Sequence, residues 1–258
     1  MNMPKKNPRI SWSLRDLAGL VFPQRCPVCD KPLPFCPRTK APLSAAGPDP
    51  FFHKDCFQRL AFTEDPYCLR CGAPLHSGET EYCSRCQRYI FSFTQNLPLL
   101  LYNEAARFSV AHFKYHGRQE FALPYARIWI SRRGGELAAI RPDVLIPVPI
   151  HRSRLLKRGY NQAALFAYEL EKFSGIPCRE DILIRSKHTG AQKELGRKER
   201  LANMENAFRL KNRPEGIQCV VLVDDIFTTG STLESCSRVL KSVGVKRIYA
   251  LTLCIATE

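Results

Sequence analysis

Four apolar residues, Val220 to Val223, run directly into two acids, Asp224 and Asp225. After Ile226 and Phe227 the chain continues Thr228-Thr229-Gly230-Ser231-Thr232-Leu233. An uninterrupted apolar run of this length reads as a strand buried on both faces, which is the environment of a parallel sheet covered by helices. The small-residue turn then opens a helix expected over 231–242. Ligands of such sheets bind where strands emerge at their carboxyl ends. Consecutive backbone N–H groups, several hydroxyls and a helix N-terminus make that turn a cradle for one phosphate monoester. Asp224 and Asp225 are placed to take the hydroxyls of a ribose carried by that phosphate. A merely capped helix would need only one Ser or Thr.

The rest of the second half supports such a sheet. Strands are expected over 97–102, 143–148, 182–184, 219–223 and 247–254. Helices are expected over 104–114, 121–132, 159–174, 194–204 and 231–242. Strands alternating with helices argue for an α/β, Rossmann-like parallel sheet with helices on both faces. Ala105, Phe108, Ala111 and Phe113 are read as the apolar side of the first helix. Pro147-Val148-Pro149 ends one strand at the ligand edge, and Arg152, Arg154, Lys157 and Arg158 follow it. Those cations suit a pyrophosphate and its Mg²⁺. Asn161 and Gln162 offer two amides to a polar ligand. Residues 187–200, with five Lys and Arg, have the composition of a hood that closes over a substrate.

Eight of the 12 cysteines lie between positions 26 and 86. Cys68-x-x-Cys71 and Cys83-x-x-Cys86 form a C-x₂-C-x₁₁-C-x₂-C pattern. Each two-residue gap lets two side chains of one turn reach a common metal, and two such turns complete a tetrahedron. Cys26-x-x-Cys29 and His53-x-x-Cys56 form a second set with a longer gap, in which Cys36 is an alternative to His53. Disulfides are the competing reading, and they are rare in chains that stay inside the cell. Two structural Zn²⁺ ions would supply folding energy that so short a segment cannot draw from a core. Cys178, Cys219, Cys236 and Cys254 lie in apolar context and read as small buried hydrophobes.

These features divide the chain into a tail and short helix (1–22), a double zinc-ribbon module (23–90) and an α/β domain (91–258), with a joint over 89–95. The formal charge is +15, which draws phosphates and nucleic acids non-specifically. No apolar run approaches the ~20 residues of a membrane span, and a cytoplasmic location is expected. Single-stranded DNA would want exposed aromatic rings, for which Tyr89, Phe91, Phe93, Phe113, Tyr115 and Tyr160 are candidates.

The acid pair followed by T-T-G-S-T resembles the 5-phosphoribosyl-1-pyrophosphate (PRPP) motif of type I phosphoribosyltransferases. Three further blocks are similar to the ComF/GntX family. They are DVLIPVPIHRSRLLKRGYNQA (143–163), LIRSKHTGAQKELGRKERLANMENAF (183–208) and the double zinc ribbon. The resemblance implies a zinc-ribbon module fused to a type I phosphoribosyltransferase-like domain and associated with DNA uptake in natural transformation. It implies PRPP or ribose 5-phosphate at Thr228, Thr229, Gly230, Ser231 and Thr232, with Asp224 and Asp225 as the catalytic pair and Mg²⁺ on the pyrophosphate. Other competence proteins are implied partners. Thr228 stands where purine salvage enzymes of the hypoxanthine–guanine type carry an aspartate, and His53 stands where the family usually has cysteine. Transfer of phosphoribose to an unidentified acceptor, or single-strand binding with a regulatory or vestigial PRPP site, are both compatible with these residues. Removal of the two acids is expected to leave folding intact. A side chain at position 230 is expected to crowd the phosphate.

Overall fold

The computed structural model describes residues 23–34, 50–186 and 207–256. The expected hood at 187–200, the helix at 194–204, the N-terminal helix and Cys36 lie outside them. Two short helices, α1 (Lys54–Gln58) and α2 (Ser84–Arg88), belong to the cysteine-rich region. Then follow β1 (Gln95–Leu101), α3 (Glu104–Tyr115), α4 (Ala122–Ile140), β2 (Val144–Pro147), α5 (Arg152–Arg158) and α6 (Gln162–Ser174). The chain continues through β3 (Leu183–Arg185), β4 (Phe208–Leu210), β5 (Cys219–Phe227), α7 (Ser231–Lys241) and β6 (Arg247–Ile255).

Strands β1, β6, β5 and β2 lie side by side in that order and all run parallel. Because side chains alternate across a strand, the sheet builds two cores. Leu97, Leu99, Leu145, Val221, Val223 and Leu251 face Trp129 of α4 and Phe166 of α6. Val144, Ile146, Val220, Leu222, Ile248 and Ala250 face Leu233 and Leu240 of α7 and Phe208 of β4. No helix among the described residues is long and apolar enough to cross a membrane.

Four expectations are corrected. The segment around 182–184 does not join the parallel sheet. It pairs antiparallel with β4, Leu183 opposite Leu210, and leaves Ile184 exposed. Helix α4 continues through Gly134 and Gly135 to Ile140, since apolar Leu137 and Ile140 still reach the core. The helix expected over 159–174 begins later, at Gln162, and a separate short helix that was not expected, α5, precedes it. Gly159, in the left-handed region at φ 83°, ends α5, and the Asn161 side chain accepts the Ala163 N–H to start α6. In α3 the buried side is Ala105, Ala106, Ser109, Val110 and Phe113, while Phe108 is exposed. Of the four scattered cysteines, Cys219, Cys236 and Cys254 are buried, and Cys178 is half-buried.

The ribbons divide between the two faces of the sheet. Cys26, Val28, Leu33, Phe52, Cys56 and Leu60 join the α4–α6 core. Cys68, Cys71 and Cys86 join the α7 core. Residues 89–95 are a packed strap between ribbon and sheet. Phe91 and Phe93 are buried and stack on each other at 4.7 Å, each burial stabilising by about 1.5–3 kcal/mol. The Thr94 N–H donates to the Ile248 carbonyl at 2.6 Å.

Candidate ribose-phosphate site and metal centres

Strand β5 does not stop at Val223. It carries both acids and ends at Phe227, paired throughout with β6, Asp224 opposite Thr252 and Phe227 opposite Ile255. Its pairing with β2 ends earlier, at Val223 opposite Pro147. The acids therefore sit where the sheet splits at its carboxyl edge. Being adjacent in a strand, they point to opposite faces and have different surroundings.

Asp225 is buried and fully engaged. Lys114 Nζ of α3 lies 2.7 Å from its Oδ1, and Gln162 Nε2 of α6 donates to its Oδ2. Burial alone would lower the Lys114 pKa, but the Asp225 carboxylate outweighs it and the net displacement is upward. Asp224 is pushed up to about 7, first by desolvation and then by the Asp225 charge. Its Oδ1 accepts the Asp225 N–H at 2.8 Å. Arg185 of β3 has a pKa lowered by burial and by Arg154, an effect that Asp224 offsets in part. One acid is thus paired with a lysine, and the other is raised by burial and by its acidic neighbour, with Lys114 and Arg185 opposing the shift.

The turn that follows leads from β5 into α7. Gly230 sits at φ 80° and caps α7 with no side-chain hydrogen bond. Thr229 Oγ1 lies 3.0 Å from Ser231 Oγ. Thr228 is exposed, and Thr229 and Thr232 are partly exposed. The fold gives a further reason for glycine at 230, besides the expected crowding of a phosphate. A Cβ there would lie 2.7 Å from Phe91 Cε1 and 2.8 Å from Phe227 Cζ. The obstruction is the aromatic floor beneath the turn, in addition to the left-handed backbone.

Other expected ligand groups have structural duties. Asn161 caps α6 and donates Nδ2 to the Val148 carbonyl at 3.1 Å, fixing the turn after β2. Arg158 donates to Gln162 Oε1 at 3.0 Å and lies over Tyr115 at 4.7 Å. Arg158, Gln162, Asp225 and Lys114 form one chain of contacts. Arg152 and Lys157 are exposed on α5. Lys114 and Arg185 are the groups that sequence reading missed. Both lie far along the chain from the acids, and only the fold brings them to β5.

The cysteine clusters fit zinc. Cys26, Cys29, His53 and Cys56 present ligand atoms that all lie within 4.8 Å of one another, and so do Cys68, Cys71, Cys83 and Cys86. Cys71 Sγ and Cys83 Sγ are 3.7 Å apart, close to the ~3.8 Å edge of a tetrahedron with Zn–S bonds of about 2.3 Å. His53 Nδ1 lies 3.3 Å from Cys29 Sγ. Four protein ligands complete a structural site and leave no open position for substrate. Without a cation the thiols oppose one another. Hydrogen bonds from Cys71 and Cys86 hold Cys68 well below the thiol range, while Cys86 is pushed up to about 12, chiefly by Cys68.

Residues 133–257 match the phosphoribosyl transferase domain family, and residues 17–87 match the double zinc ribbon domain family. Competence protein F of Haemophilus influenzae is 34% identical over 74% of this chain and 85% of its own length. Competence protein ComFC of Bacillus subtilis is 29% identical over 76% of this chain and 80% of its own. DNA utilization protein YhgH of Escherichia coli K12 is 27% identical over 76% and 87%. A purine phosphoribosyltransferase structure from Pyrococcus horikoshii aligns with 54% of this chain at 20% identity and a TM-score of 0.32, too distant to argue from. With the parallel sheet, the acid pair, the small-residue turn and both cysteine clusters in place, the chain belongs to the competence protein F/ComFC family, a double zinc ribbon joined to a phosphoribosyltransferase domain.

Proposed function

We propose that the carboxyl edge of the sheet binds the phosphorylated ribose of PRPP, with Mg²⁺ on its pyrophosphate, and that the protein serves in the handling of DNA taken up during natural transformation. The observation that carries this reading is the split at β5. The Gly230 turn follows an acid kept near neutrality, Asp224, and an acid already matched by Lys114 and Gln162, Asp225. The turn would hold the monoester and Asp224 would take the ribose hydroxyls. Arg154 and Arg185 would meet the pyrophosphate, while Asp225 orients its surroundings. Transfer to an acceptor is the reaction such an arrangement would serve, because cations beside a leaving pyrophosphate stabilise the charge it develops. The relatives named for competence and DNA utilization support the biological role.

A ligand that binds only the folded state raises the melting temperature. PRPP with Mg²⁺ is expected to raise it, and ribose 5-phosphate to raise it less. The Asp224→Asn/Asp225→Asn double variant should show no rise. No shift in the wild type, or an equal shift in the double variant, overturns this reading. Pyrophosphate release in the presence of candidate acceptors separates an enzyme from a binding protein.

A second reading, that the protein engages single-stranded DNA directly, is favoured by a ring ladder along α3 and its C-cap. Phe108, His112 and His116 stack in sequence with centroids 4.0 and 4.4 Å apart. Phe108 is exposed, and so is neighbouring Tyr115. The other candidates serve elsewhere. Phe91, Phe93, Phe113 and Tyr160 are buried, and Tyr89 bonds with Glu234 and Arg238. Base stacking contributes about 1–3 kcal/mol per base. Phe108→Ala/Tyr115→Ala should weaken oligo-dT binding about tenfold or more, with a salt slope of about −0.7 per phosphate contacted. Unchanged affinity in that variant removes this surface from consideration.

A further inference from the structure

Three sets of contacts, one from the second ribbon and two from the strap that follows it, surround the phosphate turn. Arg85 lies in α2 between the cluster residues Cys83 and Cys86, and its Nη1 donates to the Thr228 carbonyl at 2.6 Å. Phe91 lies beneath Gly230, within reach of any Cβ built there. The Ser92 backbone N–H and hydroxyl donate to the two oxygens of Glu234, at 2.7 and 2.9 Å. Glu234 is 2% exposed in the first turn of α7, and its Oε1 also accepts from Arg238 Nε at 2.7 Å.

The first of these contacts has a directional consequence. In a trans peptide the C=O of one residue and the N–H of the next point in opposite directions. Arg85 holds the Thr228 carbonyl toward the ribbon, so the Thr229 N–H is turned to the side of the loop away from it. The Glu234 contacts act on the same turn by another route. An unpaired carboxylate in the first turn of α7 would repel a phosphate from its N-terminus, and Ser92 and Arg238 occupy that carboxylate.

The first ribbon is anchored on the opposite face of the sheet, in the α4–α6 core. It is tied to the body through Asp30, whose carboxylate pairs with Arg118 at 2.8 Å, and through Phe52 against Tyr125.

We propose that Arg85 is a positioning residue of the phosphate site, aiming the Thr229 N–H at the ligand, and that the second ribbon is the scaffold of that loop while the first is not. The inference rests on the ribose-phosphate reading above. It makes the zinc ribbon part of the ligand site rather than a separate appendage.

The test compares Arg85→Met and Arg85→Lys with Arg118→Met, which breaks the tie of the first ribbon. Titration calorimetry uses ribose 5-phosphate as the probe, and amide exchange of residues 228–231 is followed in the ligand-free protein. Arg85→Met should weaken binding about tenfold, the scale of one charge-assisted hydrogen bond, and should speed exchange of those amides. Arg85→Lys, which can still donate to the Thr228 carbonyl, should recover part of both. Arg118→Met should change neither, and zinc content should stay as in the wild type in all three. Unchanged affinity and exchange in Arg85→Met would overturn the proposal while leaving the ribose-phosphate reading intact. Equal weakening by Arg118→Met would also overturn it, by showing a general effect of ribbon docking. If the wild type fails to bind the probe, the parent reading falls, and the exchange comparison alone decides whether Arg85 orders the loop.

Discussion

The two cysteine clusters have similar ligand sets but lie on opposite faces of one sheet, with different neighbours. The first sits in the core built by α4 and α6, with Cys26 and Cys56 beside Phe52 and Leu60. The second sits in the core built by α7, and its helix reaches the ligand turn through Arg85. Similar metal chemistry therefore supports two tasks: one ribbon braces the helical layer, and the other braces the loop expected to hold the phosphate. What distinguishes them is a few residues around each cluster, not the ligands.

The largest effect expected from breaking this comparison is loss of metal. Structural zinc supplies most of the folding energy of modules this small. Metal analysis of protein purified without added zinc should give about two ions per chain, one for each cluster. Cys56→Ser and Cys86→Ser should each reduce that to about one. Cys86→Ser should also remove the PRPP response, whereas Cys56→Ser should keep it if the protein remains folded. Far-ultraviolet circular dichroism separates loss of binding from loss of fold. Zinc near zero in the wild type contradicts the module as described. A single zinc in the wild type places the error at Cys26, Cys29, His53 and Cys56.

Next in size is Gly230→Val. A β-branched residue at φ 80° is strained, and its Cβ would enter the space of Phe91 and Phe227. Strain and overpacking each cost about 1–3 kcal/mol, so urea unfolding should show a loss of roughly 3 kcal/mol or more. Phe91→Ala removes one wall of the obstruction. Combined with Gly230→Ala, it should show coupling in a double-mutant cycle. Strict additivity would mean that Phe91 of the strap does not press on the turn.

The sequence made the parallel sheet and both metal clusters legible, for a clear physical reason. A buried β-strand needs a continuous apolar run, and a zinc knuckle needs two ligands in one tight turn. Both are local patterns. The strand ends were less legible. Asp224, Asp225 and Ile226 look like an exit from β5, yet backbone pairing to β6 continues through them. Polar side chains are tolerated there because the neighbour on the other side, β2, has already ended at Pro147. The partners of the site were not legible either. Lys114, Arg185 and Arg85 precede β5 by many residues, and each is an unremarkable cation until the fold delivers it. The packing of the joint expected over 89–95 was not legible. In the fold Phe91 and Phe93 are core, and Ser92 holds Glu234.

The subtlest comparison, read in a pH dependence, divides the acid pair. Equal treatment of the two, with removal harmless to folding, does not follow from their surroundings. Asp225→Asn would strand Lys114, whose side chain is 16% exposed. Breaking a buried pair in this way costs about 3–5 kcal/mol, so that variant should be clearly less stable at every pH between 5 and 8. Asp224→Asn should behave differently. The Asp224 carboxyl moves from 3.8 up to about 7 on folding, through desolvation first and the neighbouring Asp225 charge second. Between those two values the folded protein binds a proton that the unfolded chain does not, so the carboxyl makes stability fall as pH rises through the window. Asparagine has no such titration. The stability of Asp224→Asn relative to wild type should therefore climb from pH 5 to pH 7 and level off above it, in ligand-free protein. Taking the difference between the two proteins cancels the pH dependence of the zinc ligands, which both share. A flat difference across that range would show that Asp224 ionises normally in the free protein. The contrast between a partnered acid and an acid waiting for its ligand would then have to be abandoned.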